Sequence, residues 1–377
     1  MDHTMLFSAP GRTEIGGNHT DHQHGCVLAA AVDLEARAQV SLIGEPVLRV
    51  CSEGYPPVEV RLDRLEPVPE ERNTTAALVR GVAAAFSQRG CELSGLEAHV
   101  TSTVLPGSGL SSSAAFEVLM GTILNELFFG GRLTPADIAI IGQQAENRYF
   151  GKPCGLMDQM ASSVGGMVYM DFRDPAAPMV EKLDFDFASA GHALCILDSG
   201  ASHADLTDEY AAIPEELGRI SGYFGQSVLR DVPEEQFWRE LPQLRKLAGD
   251  RAVLRAAHFY QENRRAGLEA QALKDGDFAR FLSLVRQSGE SSWMYLQNVI
   301  PAGATAHQEM AVSLALCHHL LGSRGAFRVH GGGFAGTVQA FVPADLLPGF
   351  RDGVSAVLGP AACHILSIRQ DGGIRLK

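Results

Sequence analysis

The residues best suited to chemistry lie in a glycine- and serine-rich stretch at positions 105–115, LPGSGLSSSAA. Residues 96–104 before it alternate as a strand does, and residues 112–128 after it carry apolar side chains at helical spacing. A loop that enters a helix presents free backbone N–H groups and the positive end of the helix dipole, so the stretch predicts an anion site. It is not a P-loop, because the Gly-Lys-Ser/Thr ending is absent. A plain serine N-cap is the simpler alternative.

A second polar loop, residues 8–25 (SAPGRTEIGGNHTDHQHG), combines an arginine, an asparagine, an aspartate and three histidines. Its amide and carboxylate groups make directional hydrogen bonds, and Arg12 supplies a fixed charge, so the loop predicts a pocket for vicinal hydroxyl groups. A solvated surface loop is one alternative. A metal site is another, although the spacing matches no recurring ligand set; its ligands would be His19, Asp21, His22 and His24.

Two further segments carry candidate functional residues. In residues 145–159, Glu146 lies near a predicted helix end and Asp158 near the next helix N-terminus. That position favours an ionised carboxylate and suits a base or an orienting group, although a structural helix-end aspartate is the alternative. In residues 328–337, four glycines between two predicted strands allow close approach of a loop or ligand, or form a plain hairpin.

The elements that must position these residues are mixed strands and helices. A helix is predicted from Thr134, as N-cap, and Pro135 to about residue 150, and another over residues 156–163. The loosest stretch, residues 174–190, is where we place the domain boundary. The order of elements predicts an α+β protein and not a doubly wound sheet. Further long helices are predicted at 205–224, 254–274, 277–298 and 305–321.

Composition sets bounds on function. The chain has 377 residues, 46% of them hydrophobic, which suits two globular domains. A net charge of −13 argues against nucleic-acid and anionic-membrane partners. The seven scattered cysteines lack CxxC spacing, and no signal pattern or apolar run of transmembrane length is present. We therefore expect a cytoplasmic protein with reduced thiols.

In order and combination, these segments resemble the motifs of the GHMP small-molecule kinases, and of their galactokinase branch in particular. Residues 11–22 (GRTEIGGNHTDH) resemble the first motif, Gly-Arg-x-Asn-Leu-Ile-Gly-Glu-His-Thr-Asp-Tyr. Residues 105–115 resemble the second, Pro-x-Gly-x-Gly-Leu-Ser-Ser-Ser-Ala, with one residue fewer after Pro106.

The remaining segments extend the resemblance over nearly the whole chain. Residues 145–147 and 154–159 match Ala-Glu-Asn and Cys-Gly-Ile-Met-Asp-Gln, with Leu156 in place of isoleucine. Residues 331–336 resemble Gly-x-Gly-Phe-Gly-Gly, with Ala335 for one glycine. The resemblance implies the α+β two-domain GHMP kinase fold: an N-terminal ribosomal S5 domain 2-like domain (1–185) and a C-terminal ferredoxin-like domain (186–377), with the active site in the cleft between them.

The same resemblance implies roles for individual residues. Asp158 would be the general base that takes the proton of a sugar's anomeric hydroxyl, and Arg12 would stabilise both that anion and the transferring phosphoryl group. Ser113 and Glu146 would hold Mg²⁺, a hard ion that prefers oxygen ligands. The sugar would be contacted by Asn18, His19, Asp21, Gly155 and Tyr210. The ATP phosphates would be wrapped by Pro106, Gly107, Ser108, Gly109, Leu110, Ser111, Ser112 and Ser113.

Three departures from the family pattern bear on the substrate and the nucleotide. The family's sugar-binding glutamate is Asn18, residues 208–214 lack two expected arginines, and residues 73–78 replace an aromatic-rich segment near the adenine pocket. A neutral amide at position 18 would relax repulsion toward a C6 carboxylate. The His-x-Asp-His-Gln run also resembles plant galacturonate kinases.

The resemblance therefore implies an ATP-dependent kinase that phosphorylates C1 of galactose. Galacturonate is the next candidate, ahead of N-acetylgalactosamine and arabinose. A non-catalytic sensor that binds sugar and ATP is a different class, and the intact residues 113–115, Arg12 and Asp158 favour catalysis over it. The expected partners are a sugar and ATP, with no nucleic acid and no membrane, and the chain is expected to be a monomer or weak homodimer.

Overall fold

The computed structural model describes residues 4–104, 109–201 and 206–377. In these ranges the chain forms two β-sheets and a set of helices, as the mixed pattern predicts. The strands are β1 (Met5–Gly16), β2 (Cys26–Leu42), β3 (Val47–Ser52), β4 (Val58–Arg61), β5 (Leu96–Ser102), β6 (Met167–Asp171), β7 (Met179–Leu183), β8 (His192–Asp198), β9 (Ala326–His330), β10 (Thr337–Pro343), β11 (Cys363–Leu366) and β12 (Ile374–Arg375).

The helices fall mainly in the second half of the chain. The α-helices are α1 (Thr75–Gln88), α2 (Ser112–Phe128), α3 (Pro135–Ala145), α4 (Met157–Val164), α5 (Thr207–Tyr223), α6 (Glu234–Arg239), α7 (Leu241–Ala248), α8 (Asp250–Lys274), α9 (Phe278–Ser291), α10 (Glu309–Leu321) and α11 (Leu347–Leu358). Single π-helical turns continue α3 and α9, at Glu146–Phe150 and Ser292–Leu296. None of the helices described is long and apolar enough to cross a membrane.

The first sheet has the order β12-β1-β2-β5-β3-β4, with β6 paired to β2 and β7 to β6. All of its pairs are antiparallel except β3 with β5. The register between β1 and β2 shifts between Pro10 and Arg12 and again between Glu14 and Gly16. Such bulges twist a strand and re-aim its side chains. They occur in the part of β1 that carries the candidate residue Arg12.

One hydrophobic core lies between the first sheet and helices α1 to α3. It contains Phe7 and Leu28 from the sheet with Phe86, Val118 and Ile123 from the helices, all with no exposed surface. Helix α4 packs on β1 and β2 beside this core, and α8 packs on β1, β2 and β6. The first sheet thus holds α2, α4 and α8 around the loop that follows β1.

The second sheet is fully antiparallel, in the order β11-β8-β10-β9. Its β9–β10 connection carries the glycine-rich residues 331–336. The chain end then returns to the first sheet, where β12 pairs with β1. The division of the chain near residue 185 stays a prediction.

Local sequence signals predicted several elements well. The predicted helix 112–128 is α2, and α3 begins with Thr134 as N-cap in a capping box and with Pro135 in its first turn. The stretch 174–190 contains β7, which was not predicted because its exposed edge lacks a clear apolar alternation. The short helices α6 and α7 were not predicted either.

Candidate active site

Asp158 is held by an arginine from strand β1 of the first sheet. It is the second residue of α4, and 30% of its side chain is exposed. Arg12 of β1 donates from Nε to Oδ1 at 2.7 Å and from Nη2 to Oδ2 at 2.8 Å. This two-bond geometry fixes the carboxylate in both position and orientation. Arg12 also donates from Nη1 to the carbonyl oxygen of Gly109, so one guanidinium joins β1, α4 and the loop before α2.

Ser111 contributes to the same cluster and does not cap its helix. It is the N-cap residue of α2, but it has a left-handed backbone with φ of 59° and its side chain makes no capping bond. Its hydroxyl instead donates to Oδ2 of Asp158 at 2.5 Å. Leu110 accepts the backbone N–H of Arg12 through its carbonyl at 3.0 Å. The start of the predicted phosphate segment, Pro106, Gly107 and Ser108, lies outside the described residues.

These contacts keep Asp158 ionised. Burial would raise the pKa of its carboxyl group, but the Arg12 charge and the hydrogen bonds from Arg12 and Ser111 together lower the pKa below its usual value. Asp158 therefore presents a carboxylate at neutral pH, able to accept a proton from a hydroxyl group placed against it.

Glu146 and Ser113 meet beside Asp158, as the resemblance implies. Glu146 ends α3, where the π-helical turn begins, and is buried. Its Oε1 accepts from the Ser113 hydroxyl at 3.3 Å and from Nζ of Lys152 at 3.3 Å. A carboxylate and a hydroxyl, completed by phosphate and water oxygens, are a donor set that suits Mg²⁺. Within residues 4–104, 109–201 and 206–377, three or more His, Cys, Asp or Glu side chains are nowhere grouped to hold a metal.

A buried amide connects Glu146 to a second carboxyl group. Gln159, next to Asp158 on α4, donates from Nε2 to Glu146 Oε2 at 2.9 Å and to Glu117 Oε2 at 3.0 Å. Burial and the nearby Glu146 charge raise the pKa of Glu117 well above its usual value. We assigned no role to Glu117, Gln159 or Lys152 from sequence. An acidic residue four positions after Ser113, on the same face of α2, is the signal that could have indicated Glu117.

Asp21 approaches the turn before α4 at Gly155. A Cβ atom on Gly155 would lie 1.8 Å from Asp21 Oδ2, so any side chain at position 155 would force this carboxyl group to move. Burial and the neighbouring Asp158 charge raise the pKa of Asp21 to about 6. The carboxyl groups of Asp21 and Asp158 thus lie in one site, with the pKa of Asp21 raised and that of Asp158 lowered. Acid–base sites often contain such pairs with separated pKa values.

His19 and His22 form a short hydrogen-bonded chain. His19 Nε2 lies 3.1 Å from the carbonyl oxygen of Gly332, and His19 Nδ1 lies 3.2 Å from His22 Nε2. Burial lowers the pKa of His19 to about 3 and that of His22 to about 4, so both are neutral at pH 7. A carbonyl only accepts, so we assign the proton of His19 to Nε2 and that of His22 to Nε2.

Asn18 lies behind the loop with no exposed surface. Its Nδ2 donates to Glu14 Oε1 at 3.0 Å and to the Gly331 carbonyl at 2.6 Å, and its Oδ1 accepts from Asn298 Nδ2 at 3.0 Å. Its side chain therefore links the β1 loop to the glycine-rich β9–β10 connection. Sugar contact by Asn18 stays a prediction.

Tyr210 lies near the same connection. Its hydroxyl donates to the Gly333 carbonyl at 3.0 Å, and its ring lies 5.6 Å from that of Phe334. The structure thus brings the predicted sugar residues to two places: Asp21 and Gly155 beside Asp158, and Asn18, His19 and Tyr210 along the glycine-rich connection.

A cavity of about 890 Å³ opens beside Ser112 and Ser113. Its walls are mostly apolar, with aromatic side chains from Tyr55, Phe116 and Phe150. The segment we placed near a base pocket from sequence also contributes, through Asn73, Thr74, Thr75 and Leu78. Apolar walls with a few polar groups are typical of small-molecule sites.

Two family models and several solved structures match this chain. The GHMP kinases N-terminal domain family matches residues 77–166, and the galactokinase galactose-binding signature matches residues 2–44. The structure of Lactococcus lactis galactokinase complexed with galactose superimposes with a TM-score of 0.83, at 24% identity, over 99% of this chain and 95% of that chain.

More distant structures share the fold as well. Methanococcus jannaschii mevalonate kinase has a TM-score of 0.68 at 12% identity, over 97% of this chain and 98% of its own. Streptococcus pneumoniae phosphomevalonate kinase, solved with phosphomevalonate and AMPPNP, has a TM-score of 0.67 at 11% identity, over 98% and 99%. At these identities the likeness concerns the fold.

Proposed function

We propose that this chain is a GHMP kinase that transfers the γ-phosphoryl group of ATP to the anomeric C1 hydroxyl of galactose, because a GHMP kinases N-terminal domain model matches residues 77–166 and a galactokinase galactose-binding signature matches residues 2–44. The observation that carries the proposal is the position of Asp158. Its carboxylate, held by Arg12, lies between Asp21 of the galactose signature and Ser111 at the start of α2.

In this reaction Asp158 acts as the general base. One of its oxygens accepts the proton of the C1 hydroxyl while the sugar oxygen forms a bond to the γ-phosphorus and the bond from that phosphorus to the bridging oxygen of ADP breaks. The proton ends on Asp158 and the electron pair of the broken bond on ADP. Arg12 keeps the base ionised and offsets charge on the transferring group. Phosphoryl transfer depends mainly on such positioning and charge neutralisation.

Ser113 and Glu146 would hold Mg²⁺, which supplies further neutralisation of the phosphate oxygens. The cavity beside Ser112 and Ser113 would take the adenosine part of ATP. Its rims carry the side chains of Asn73 and Thr74, and aromatic faces from Tyr55 and Phe116 are available to a purine ring.

Galactose is favoured over galacturonate by the charges around the site. Asp21 and Asp158 are both acidic, while Arg12 is committed to Asp158 and Arg328 to Glu14 at 2.8 Å. A sugar carboxylate would meet acidic groups, and both nearby arginines are already paired. The neutral Asn18 in place of the family's glutamate is the observation that keeps galacturonate as the second candidate.

A coupled ADP-release assay with Mg²⁺ and ATP tests the proposal. Galactose, galacturonate, N-acetylgalactosamine and arabinose are compared with a blank that lacks sugar. We expect the highest kcat/KM with galactose. A higher value with galacturonate would reverse the substrate choice, and no release with any of the four would support a non-catalytic sugar sensor instead.

A further inference from the structure

Lys152 places a second cation at the meeting point of the base and the metal ligands. Its Nζ lies 3.3 Å from Glu146 Oε1, the oxygen that the Ser113 hydroxyl also reaches at 3.3 Å. Its charge also acts on Asp158, whose pKa it helps to lower. A lysine ammonium thus lies on the oxygen that we assign to the metal.

Lys152 and Arg12 differ in their freedom to move. Arg12 is 8% exposed at its side chain and makes two bonds to Asp158, whereas the side chain of Lys152 is 61% exposed and has one carboxylate partner. Lysine carries its charge on a flexible four-carbon stem, which allows the ammonium to change partners. Glu146 cannot turn to follow it, because its Oε2 is held by the Gln159 amide at 2.9 Å.

We propose that Lys152 is a further catalytic residue, whose ammonium leaves Glu146 when metal and nucleotide bind and then contacts the γ-phosphoryl oxygens during transfer. The proposal rests on the function proposed above. One carboxylate oxygen does not hold a divalent ion and an ammonium together without strong repulsion. The Lys152 charge already acts on Asp158, and the transferring phosphoryl group must come beside Asp158, so the displaced ammonium has that negatively charged group within reach.

The two parts of the proposal have opposite consequences for a neutral substitution. Without its ammonium, Glu146 would be free of a competitor, so a divalent ion should bind more tightly. The same substitution would remove a positive charge from the transition state, so kcat should fall. Loss of a lysine that only stabilises the turn before α4 would not combine tighter binding of a divalent ion with a lower kcat.

The test compares Lys152→Met and Lys152→Arg with wild type and with the control variant Lys182→Met. Lys182 lies on the exposed edge strand β7, and its Nζ donates to the Gln370 carbonyl. Binding of Mn²⁺ is measured by electron paramagnetic resonance with AMPPNP present and with it absent, and kcat and KM are measured with galactose. For Lys152→Met we expect Mn²⁺ affinity to rise about threefold or more and kcat to fall about 10- to 100-fold, with galactose KM unchanged.

Lys152→Arg should recover most of the lost kcat, because it restores the charge, and Lys182→Met should behave as wild type. Unchanged kcat in Lys152→Met would overturn the catalytic role, and unchanged or weaker Mn²⁺ binding would overturn the competition at Glu146. If wild type phosphorylates no sugar, the proposed function fails by itself, and the Mn²⁺ measurement still decides whether Lys152 competes for Glu146.

Discussion

Two ends of the site are built differently. At the α2–α4 end, two of the charged groups remain partly exposed, since the side chain of Asp158 is 30% exposed and that of Lys152 is 61% exposed, and Ser113 and Lys152 meet on one oxygen of the buried Glu146. Behind the β1 loop, the paired charged groups are all buried. The difference indicates that one end can exchange its partners for ligands, whereas the other keeps the loop in shape.

The buried end supports the loop through its backbone. Oε1 of Glu262 accepts the N–H groups of Gly17 at 3.2 Å and Asn18 at 3.3 Å, and its Oε2 pairs with Arg265. Burial would raise the pKa of Glu262, but Arg265 and other nearby charges lower it to about 2. On the other side of the loop, Arg328 binds the carboxylate of Glu14. Substitutions at the two ends should therefore have different consequences.

The largest effect on turnover is expected from Asp158→Asn. An amide keeps the size of the side chain but cannot accept the proton, so kcat should fall about 1,000-fold. Binding of galactose and of AMPPNP, measured by calorimetry, should remain within a few-fold of wild type. Wild-type turnover in this variant would mean that Asp158 is not the base.

The next largest effect is expected from Arg12→Lys. The substitution keeps a charge but loses the two parallel bonds to Asp158, so kcat should fall about 100-fold. Because Arg12 lowers the pKa of Asp158, its weakening should move the acidic limb of the pH–rate profile to higher pH. If the acidic limb of the pH–rate profile does not move, Arg12 does not control the pKa of Asp158.

A smaller effect is expected from Ser111→Ala. It removes one hydrogen bond to a charged group, so kcat should fall about tenfold and the acidic limb should again move upward in pH. Leu127→Ala lies on the same helix outside the cluster and serves as a comparison for simple loss of stability. An unshifted pH profile in Ser111→Ala would show that the short contact to Asp158 has no influence on its proton.

Sugar binding should depend moderately on pH through Asp21. Its pKa is raised to about 6, so the carboxylate that we propose accepts hydrogen bonds from sugar hydroxyl groups is lost as the pH falls through 6. Galactose KM should rise about fourfold between pH 7 and pH 5.5. In Asp21→Asn, KM should be higher and nearly constant over this interval. If galactose KM rises equally in wild type and in Asp21→Asn as the pH falls, a group other than Asp21 takes up the proton.

The smallest effect on kcat, together with a large effect on stability, is expected from a substitution in the buried ion pairs that support the loop after β1. Glu14→Gln removes the carboxylate that is paired with the buried Arg328 and should lower the free energy of unfolding by about 3 kcal/mol. At a temperature where the variant is folded, kcat should stay within about threefold of wild type. Glu59→Gln, in an exposed pair with Arg49, should leave the unfolding midpoint unchanged. A large loss of kcat in folded Glu14→Gln would remove the distinction between the two ends.

Sequence patterns predicted the parts of this arrangement that depend on local residues. The span of α2 and the Thr134 cap of α3 follow from helical spacing and capping chemistry, and both agree with the structure. The resemblance paired Arg12 with Asp158 and Ser113 with Glu146, and each pair is in contact.

The other contacts depend on tertiary structure. The turn of Ser111 toward Asp158 requires a left-handed backbone at a serine, which no local pattern predicts. The bonds of Asn18 to Gly331 and Asn298 join segments about 300 residues apart. A single sequence contains no signal for such pairs, and the resemblance assigned Asn18 only a contact with the sugar.

Product analysis tests the central claim most directly. Wild type and Asp158→Asn are incubated with galactose, ATP and Mg²⁺, and the products are identified by ³¹P NMR with proton coupling to the sugar. We predict that wild type yields ADP and galactose 1-phosphate in equal amounts and that the variant yields almost none of either. Phosphate on another hydroxyl, ADP without sugar phosphate, or equal product from Asp158→Asn would contradict the assignment of Asp158 as the base for the C1 hydroxyl.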